Sequence, residues 1–199
     1  MRRANRHLSS AQIIILGFAA AIFLGCLMLM LPFSTRDGLG APFWDALFTS
    51  TSAVCVTGLV VRNTATYWSL FGQAVILTLI QIGGMGVVTL AVTITMISGR
   101  KIGLMQRSTL QEAISAHHVG GIVKLTGFIL RTTLLLELAG AVLLSIAFCP
   151  EYGPARGLWY GLFHSVSAFC NAGFDLLGDP VPYASLTAYA DRPLSLIHI

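Results

Sequence analysis

The chain has 199 residues, of which 55% are apolar and only 10% are charged, and its formal net charge is +4. An ordinary globular domain carries roughly 25% charged residues, so this composition argues against a water-soluble enzyme. Intrinsic disorder is also excluded, because disordered chains are poor in apolar residues and rich in charge. The four cysteines lie in or beside apolar runs without a C-x-x-C pair, and we expect buried free thiols rather than disulfides or a zinc site.

Three stretches are long enough to cross a membrane, which takes about 20 mainly apolar residues. The first, Leu8 to Thr35, is not followed by an A-x-A-like cleavage site, so we interpret it as an uncleaved anchor. The second lies within the uncharged stretch from Asn63 to Gly99, and its glycines predict close packing against protein. The third runs from about Gly121 to Phe148.

Glu137 lies deep in the third predicted span. A carboxylate inside a membrane is costly, and we therefore expect Glu137 to face the interior of the helix bundle. Two roles remain open at this point. The side chain could be a structural partner for a neighbouring helix, which is the role we favour, or it could contact an ion directly.

The basic residues predict the side of the membrane on which each connection lies. They are concentrated in the N-terminal tail and between the second and third spans, at Arg2, Arg3, Arg6, Arg100, Lys101, Arg107 and Lys124. The positive-inside rule therefore makes both regions cytoplasmic. Within the connection, Lys101 to Ala116 has apolar residues at near-helical spacing, which predicts an amphipathic helix at the membrane surface.

Two segments that are too short or too polar to span the membrane have matching sequences. One is WDALFTSTSAVCVTG, Trp44 to Gly58, and the other is WYGLFHSVSAFCNAG, Trp159 to Gly173. At an offset of 115 residues they agree at eight of fifteen positions. Such self-similarity indicates an internal repeat, in which each unit has a spanning helix, a short outer segment and a second spanning helix.

Each matched segment predicts a short helix followed by a non-helical turn, because β-branched residues and glycine disfavour continuing the helix. Non-helical backbone at membrane depth survives only where protein buries it or where it lines a watery cavity. The negative end of the helix dipole and the carbonyls that follow would stabilise a partly dehydrated cation there. The alternative is a pair of ordinary outer loops, which would not need to be this apolar or to keep glycine at Gly58 and Gly173.

Several runs closely resemble the TrkH/KtrB (Trk/Ktr/HKT) family of potassium-uptake proteins, namely FTSTSAVCVTGLVV, QIGGMG, KIGLMQRSTLQEAI and SAFCNAGFDLLG. The resemblance implies an all-α polytopic membrane protein built from helix–pore-loop–helix repeats, as in potassium channels, with about two of an expected four repeats present. The first repeat would occupy residues 1–99, a cytoplasmic connector 100–120, and a second repeat, truncated before its last helix, 121–199. The resemblance also implies that K⁺ binds in a filter lined by Val56, Thr57, Gly58, Leu59, Asn171, Ala172, Gly173 and Phe174.

The same resemblance implies potassium uptake across the cell membrane, with no covalent chemistry, no cofactor in this chain and no nucleic-acid partner. It further implies a homodimeric membrane part and a separate cytosolic regulatory subunit that binds nucleotide. Two alternatives have different signatures. A sodium-permeable relative would carry serine at the first filter glycine, whereas this chain has Gly58. A membrane-embedded enzyme would need inward-facing partners for Glu137, and the spans contain no deep His or Asp.

The orientation can be tested with single cysteines at Asn5 and Ser108 in a background without the native cysteines. Both positions lie in segments predicted to be cytoplasmic, so both should resist impermeant thiol reagents added to intact cells. Permeabilised cells provide the control, in which both positions should react. Labelling of either position from outside would contradict the orientation.

Overall fold

A computed structural model describes residues 9–86, 89, 109–111 and 122–177 of the chain. These residues form α1 (Ser10–Leu29), a 3₁₀ helix (Pro32–Ser34), α2 (Phe43–Val54), α3 (Thr64–Tyr67), α4 (Leu70–Met85), α5 (Ile122–Tyr152) and α6 (Pro154–Phe169). Over the described ranges there is no β-strand, and a single antiparallel bridge pairs Thr35 with Trp68. The all-α class predicted from the sequence is therefore confirmed for this part of the chain.

Helices α1 and α5 are long and apolar enough to cross a membrane, over Ala11–Leu29 and Lys124–Tyr152, while α4 is a shorter apolar helix. A capping box begins α1: the Gln12 N–H donates to the Ser9 hydroxyl, and the Ser9 N–H donates to the Gln12 side chain. The helix ends at Leu29, before the uncharged stretch itself ends at Thr35. The reason is Pro32, which has no N–H for a helical hydrogen bond and opens the 3₁₀ helix.

The second predicted span, placed within the uncharged stretch from Asn63 to Gly99, begins at Leu70 in the structure. Asn63 caps α3, because its side chain accepts hydrogen bonds from the backbone of the next helix turn. At the other end, Gly86 has a φ of +79°, which ends α4 at Met85. Residues 87–99, apart from 89, lie outside the described residues, as does most of the predicted amphipathic helix, of which residues 109–111 are helical.

All four cysteines are free thiols in the structure. Cys26 is buried, as expected, but Cys55 is exposed and Cys149 and Cys170 are only partly buried. The expectation of four buried thiols is therefore wrong for Cys55. This residue follows the last residue of α2, where the chain leaves the helix.

Helix α4 lies against α1, α2 and α6, and α5 packs along α6. Two glycines of α4 allow its backbone to approach the C-terminal ends of α2 and α6. A Cβ atom on Gly83 would collide with the carbonyl oxygen of Val54, and one on Gly84 would collide with the sulfur of Cys170. The close packing predicted from these glycines is therefore confirmed, and it fixes α4 beside both α2 and α6.

A polar contact joins α4 to α5. The Gln81 Nε2 atom donates to both carboxylate oxygens of Glu137, at 2.8 and 3.1 Å. The Glu137 side chain is only 4% exposed, so it faces the interior as predicted. Because its carboxylate contacts a neighbouring helix, this geometry favours the structural role for Glu137.

Gln81→Leu removes this donor and leaves the Glu137 carboxylate without that partner. We expect the free energy of unfolding in detergent micelles to fall by about 1 kcal/mol, within the range of polar contacts between membrane helices. Glu137→Gln is the matched variant and should cost less, because its amide oxygen can still accept from Gln81. Unchanged unfolding of Gln81→Leu would show that the contact does not hold α4 to α5.

Candidate functional site

The two segments with matching sequences end their helices at matching residues. Helix α2 ends at Val54 and α6 ends at Phe169, which are 115 residues apart. The next residues also correspond: Cys55 has φ and ψ of −83° and 0°, and Cys170 has −76° and −5°. Each helix therefore stops at the same point of the shared pattern, although α6 begins with additional residues at its N-terminal end.

The turns that follow contain the same three backbone hydrogen bonds. In the first turn the N–H groups of Cys55, Val56 and Thr57 donate to the carbonyls of Thr51, Ala53 and Ser52, at 2.8, 3.2 and 3.0 Å respectively. In the second turn the N–H groups of Cys170, Asn171 and Ala172 donate to the carbonyls of Val166, Ala168 and Ser167, at 2.9, 2.9 and 2.7 Å respectively. Three N–H groups of each turn are thus bonded back to its helix, and the carbonyls of the turn residues are left for other partners.

Both turns hold two residues in the left-handed region. Val56 and Asn171 each have a φ of +56°, and Gly58 and Gly173 have +70° and +74°. Glycine adopts this conformation without steric cost, but a β-branched residue such as valine rarely does. Such a conformation costs about 1–3 kcal/mol and persists only where the surroundings impose it, which is typical of functional sites.

The two turns lie directly against each other. A Cβ atom on Gly58 would collide with the Ala172 carbonyl oxygen and would lie 3.2 Å from the Gly173 Cα atom. A Cβ atom on Gly173 would lie 3.6 Å from the Gly58 Cα atom, which is an ordinary contact. The structure therefore brings the two predicted glycines together, and the absence of a side chain at Gly58 is what permits the approach.

The matched serines at the helix ends hold different groups. The Ser52 and Thr57 hydroxyls are 2.9 Å apart, whereas the Ser167 hydroxyl donates to the Phe174 carbonyl at 2.7 Å. The difference follows from the sequence, because the residue that matches Thr57 is Ala172, which has no hydroxyl. The Ser167 hydroxyl is therefore free to bond the Phe174 carbonyl to α6. The Phe174 side chain is fully buried, whereas the matched Leu59 is 62% exposed.

Helices α2 and α6 are each bonded to the helix before them, α1 and α5, through a serine at the same position of the matched segments. The Ser50 hydroxyl donates to the Ile22 carbonyl, and the Ser165 hydroxyl donates to the Glu137 carbonyl, both at 2.6 Å. The two donors, and likewise the two acceptors, are 115 residues apart. Glycines at corresponding positions of α1 and α5, Gly25 and Gly140, leave room for these hydroxyls. The offset of 115 residues that aligns the two matched segments therefore also aligns a packing feature of α1 with one of α5.

The turn residues at 56–59 and 171–174 are uncharged, and charged residues come before and after them in the chain. Asp45 in the first turn of α2 pairs with Arg62, which follows the first matched turn, through an Nε–Oδ2 distance of 2.7 Å. In the connection before α2, the Thr35 hydroxyl and then the Leu39 N–H donate to the Asp37 carboxylate, and these bonds lower its pKa below the ordinary value. Within the described ranges, no group of three or more His, Cys, Asp or Glu side chains is placed to hold a metal ion.

Sequence reasoning located the matched segments but missed the side chains that support them. The supporting roles of the matched serines could have been inferred, because Ser50/Ser165 and Ser52/Ser167 agree between the segments. No such signal exists for His164, which matches Thr49. The arrangement as a whole presents carbonyl oxygens at the C-terminal ends of two helices, which suits a cation without a charged ligand.

Comparison with known proteins gives consistent results. A sequence model of the TrkH family, described as a cation transport protein, matches residues 9–194. The potassium/sodium uptake protein NtpJ of Enterococcus hirae is 47% identical over 178 residues, which is 89% of this chain and 40% of that protein. The Ktr system potassium uptake proteins B of Bacillus subtilis and Vibrio alginolyticus are 47% and 37% identical, each over 92% of this chain and 39% of theirs. The chain thus spans about two fifths of the length of these relatives.

Ser50→Ala and Ser165→Ala should destabilise the protein to a similar extent, because each removes one bond between a short helix and the long helix before it. We expect the free energy of unfolding in micelles to fall by about 1 kcal/mol for each, the typical value of a hydrogen bond. Thr78→Ala is the control, since the Thr78 hydroxyl is exposed and bonds only within its own helix. A loss no larger than that of Thr78→Ala would show that these serines do not hold the short helices.

Proposed function

The chain belongs to the TrkH family of cation transport proteins, and on this premise we propose that it supplies part of a potassium-uptake pathway through a membrane. The main support is the contact between the two matched turns, where Gly58 lies against Ala172 and Gly173. Uptake of potassium is also the activity named for its relatives in Bacillus subtilis and Vibrio alginolyticus. Because the chain spans only part of the length of these relatives, potassium uptake by the whole protein is itself a proposal.

The two turns would act as two segments of a selectivity filter. In this proposal the carbonyls that face the ion belong to Val56, Thr57, Gly58, Leu59, Asn171, Ala172 and Gly173. Phe174, which the sequence also predicted as a lining residue, is given a supporting role instead, because its carbonyl accepts from the Ser167 hydroxyl. Left-handed residues alternate with other conformations in each turn, and such alternation can direct successive carbonyls to one side of the backbone. These oxygens would replace water around K⁺, as in carbonyl-lined channels.

The helix ends add an electrostatic contribution. A helix carries about half a negative elementary charge at its C-terminus, and the C-termini of both α2 and α6 lead directly into the turns. The site therefore attracts a cation without a buried carboxylate of its own. Movement of an ion through such a site forms and breaks no covalent bond, so we propose a transporter and not an enzyme, with K⁺ as cargo and no cofactor in this chain.

We propose that this chain holds two of four such segments, with residues 1–99 and 121–199 as successive helix–pore-loop–helix units and 100–120 as the cytoplasmic connector. The relatives are long enough for two more units, because the chain covers only about two fifths of their length. The protein would lie in the cell membrane with its N-terminus in the cytoplasm, as the basic residues indicate. A homodimeric membrane part and a cytosolic nucleotide-binding subunit complete the proposal, and the name "Ktr system" supports a protein of several components.

A second candidate function is uptake of both potassium and sodium. It is favoured by the Enterococcus hirae relative, which is named for both ions and is 47% identical to this chain. Glycine at position 58 favours potassium, because a carbonyl-lined site without a hydroxyl there leaves the coordination to the backbone. The two candidates differ in one measurable quantity, the ratio of potassium to sodium uptake.

Gly58→Ser and Gly173→Ser test the filter in the protein expressed from its complete reading frame, in cells that lack other potassium uptake. Both add a side chain at a positive φ, but only the Cβ at Gly58 would collide with backbone of the other turn, whereas the Cβ at Gly173 would make an ordinary contact there. We therefore expect both to lower the potassium-to-sodium uptake ratio, with Gly58→Ser the stronger. A loss of tenfold would correspond to about 1.4 kcal/mol of discrimination.

Gly153→Ser is the matched control, because Gly153 also has a positive φ, of +80°, but lies between α5 and α6 with open space around its Cβ position. It should leave the uptake ratio unchanged. An unchanged ratio in both filter variants, with normal amounts of protein in the membrane, would show that these glycines do not line the pathway.

A further inference from the structure

His164 links the middle of α6 to the chain just after the second turn. Its imidazole is fully buried. The Leu176 N–H donates to the Nε2 atom at 3.2 Å, and the Nδ1 atom lies 2.7 Å from the Tyr160 carbonyl oxygen. One ring thereby joins its own helix to a residue two positions beyond Phe174, the last residue of the predicted filter.

The two partners determine where the imidazole proton lies. A backbone N–H can only donate, so the Nε2 atom that faces Leu176 must be the acceptor and carries no proton. A backbone carbonyl can only accept, so the Nδ1 atom that faces Tyr160 must carry the proton. The contacts are therefore satisfied only by the neutral ring with its proton on Nδ1.

The surroundings keep the ring in this place. The ring of Phe148 on α5 lies 5.3 Å from that of His164 between centroids, and the ring of Phe163 lies 6.1 Å away. Phe174, whose carbonyl is bonded to Ser167, and Leu176, whose N–H is bonded to His164, are 0% and 1% exposed. In this dry environment the Leu176 N–H needs an acceptor, because an unpaired buried N–H costs free energy.

The first segment has no equivalent of this link. The residue that matches His164 is Thr49, and the residue that matches Leu176 is Val61, which is 41% exposed. There the chain after the turn is held to its helix by the ion pair between Arg62 and Asp45, whose side chains are 49% and 21% exposed. The two turns therefore have the same backbone but are supported by different chemistry.

We propose that His164 is a positioning residue for the second filter segment, and that it acts as the Nδ1-protonated imidazole that accepts the Leu176 N–H. It does not contact the ion. Together with the Ser167 bond to Phe174, it fixes both the end of the segment and the residues that follow, so that the carbonyls of Asn171, Ala172 and Gly173 keep their direction. The effect on ion preference rests on the proposed potassium pathway, whereas the position of the proton does not.

The proton position can be measured directly by ¹⁵N NMR of the purified protein with labelled histidine, using His164→Gln to assign the signal. We expect a non-protonated Nε2 and a protonated Nδ1 at neutral pH. A protonated Nε2, or a ring that exchanges between its two neutral forms, would overturn the proposal. This result does not depend on whether the protein transports potassium.

Two substitutions separate positioning from simple packing, in uptake measurements on the protein expressed from its complete reading frame. His164→Gln places an amide oxygen near the position of Nε2 and can accept from Leu176, whereas His164→Leu cannot. We expect His164→Leu to lower the potassium-to-sodium ratio by roughly tenfold, equivalent to about 1.4 kcal/mol, and His164→Gln to retain most of it. Equal ratios in the two variants, at equal amounts in the membrane, would overturn the role of the acceptor.

Arg62→Gln provides a matched comparison in the first segment. The Arg62–Asp45 ion pair is partly exposed, so added salt should weaken the attraction between its two charges. The hydrogen bond from the Leu176 N–H to His164 is buried, so added salt should leave its strength unchanged. If the unmodified protein takes up no potassium, the proposed function fails, and the NMR experiment alone decides the proposal for His164.

Discussion

The structure depends on the close approach of two non-helical turns. Gly58 can lie against Ala172 and Gly173 only because it has no Cβ atom, and a left-handed φ at both glycines directs the chain away from its helix. Such a turn has no regular hydrogen-bond ladder of its own, so its N–H groups must be bonded by the helix that precedes it. The contacts among the helices hold α2 and α6, and through them the two turns, in place.

That support is built from polar side chains in an otherwise apolar assembly. Serine hydroxyls bond α2 to α1 and α6 to α5, and Gln81 bonds α4 to Glu137 on α5. Apolar contact alone does little to favour one packing arrangement of helices in lipid over another, because lipid tails are as apolar as leucine. Hydrogen bonds and small residues therefore determine which faces meet. Glu137 serves twice, because its carbonyl accepts from Ser165 while its carboxylate accepts from Gln81.

Much of this arrangement could be predicted from the sequence, since its causes are local. The matched segments, the short helix in each, the glycine turns and the packing of the α4 glycines follow from residue pattern and from an internal comparison. The ends of the helices were less predictable: hydropathy extends through Thr35 and back to Asn63, but Pro32 and the cap at Asn63 impose turns that no apolar count reveals. The roles of His164 and Phe174 could not be predicted, because they arise where the two matched segments differ and from contacts formed only on folding.

The most direct test of the account is the position of Rb⁺, which substitutes for K⁺, in a crystal of the protein expressed from its complete reading frame, located by its anomalous scattering. The account predicts a peak bounded by the carbonyls of the two turns, at Val56 to Gly58 and at Asn171 to Gly173. Ordered Rb⁺ elsewhere in the membrane-embedded part, with none beside these turns, would contradict the claim that they form the cation site.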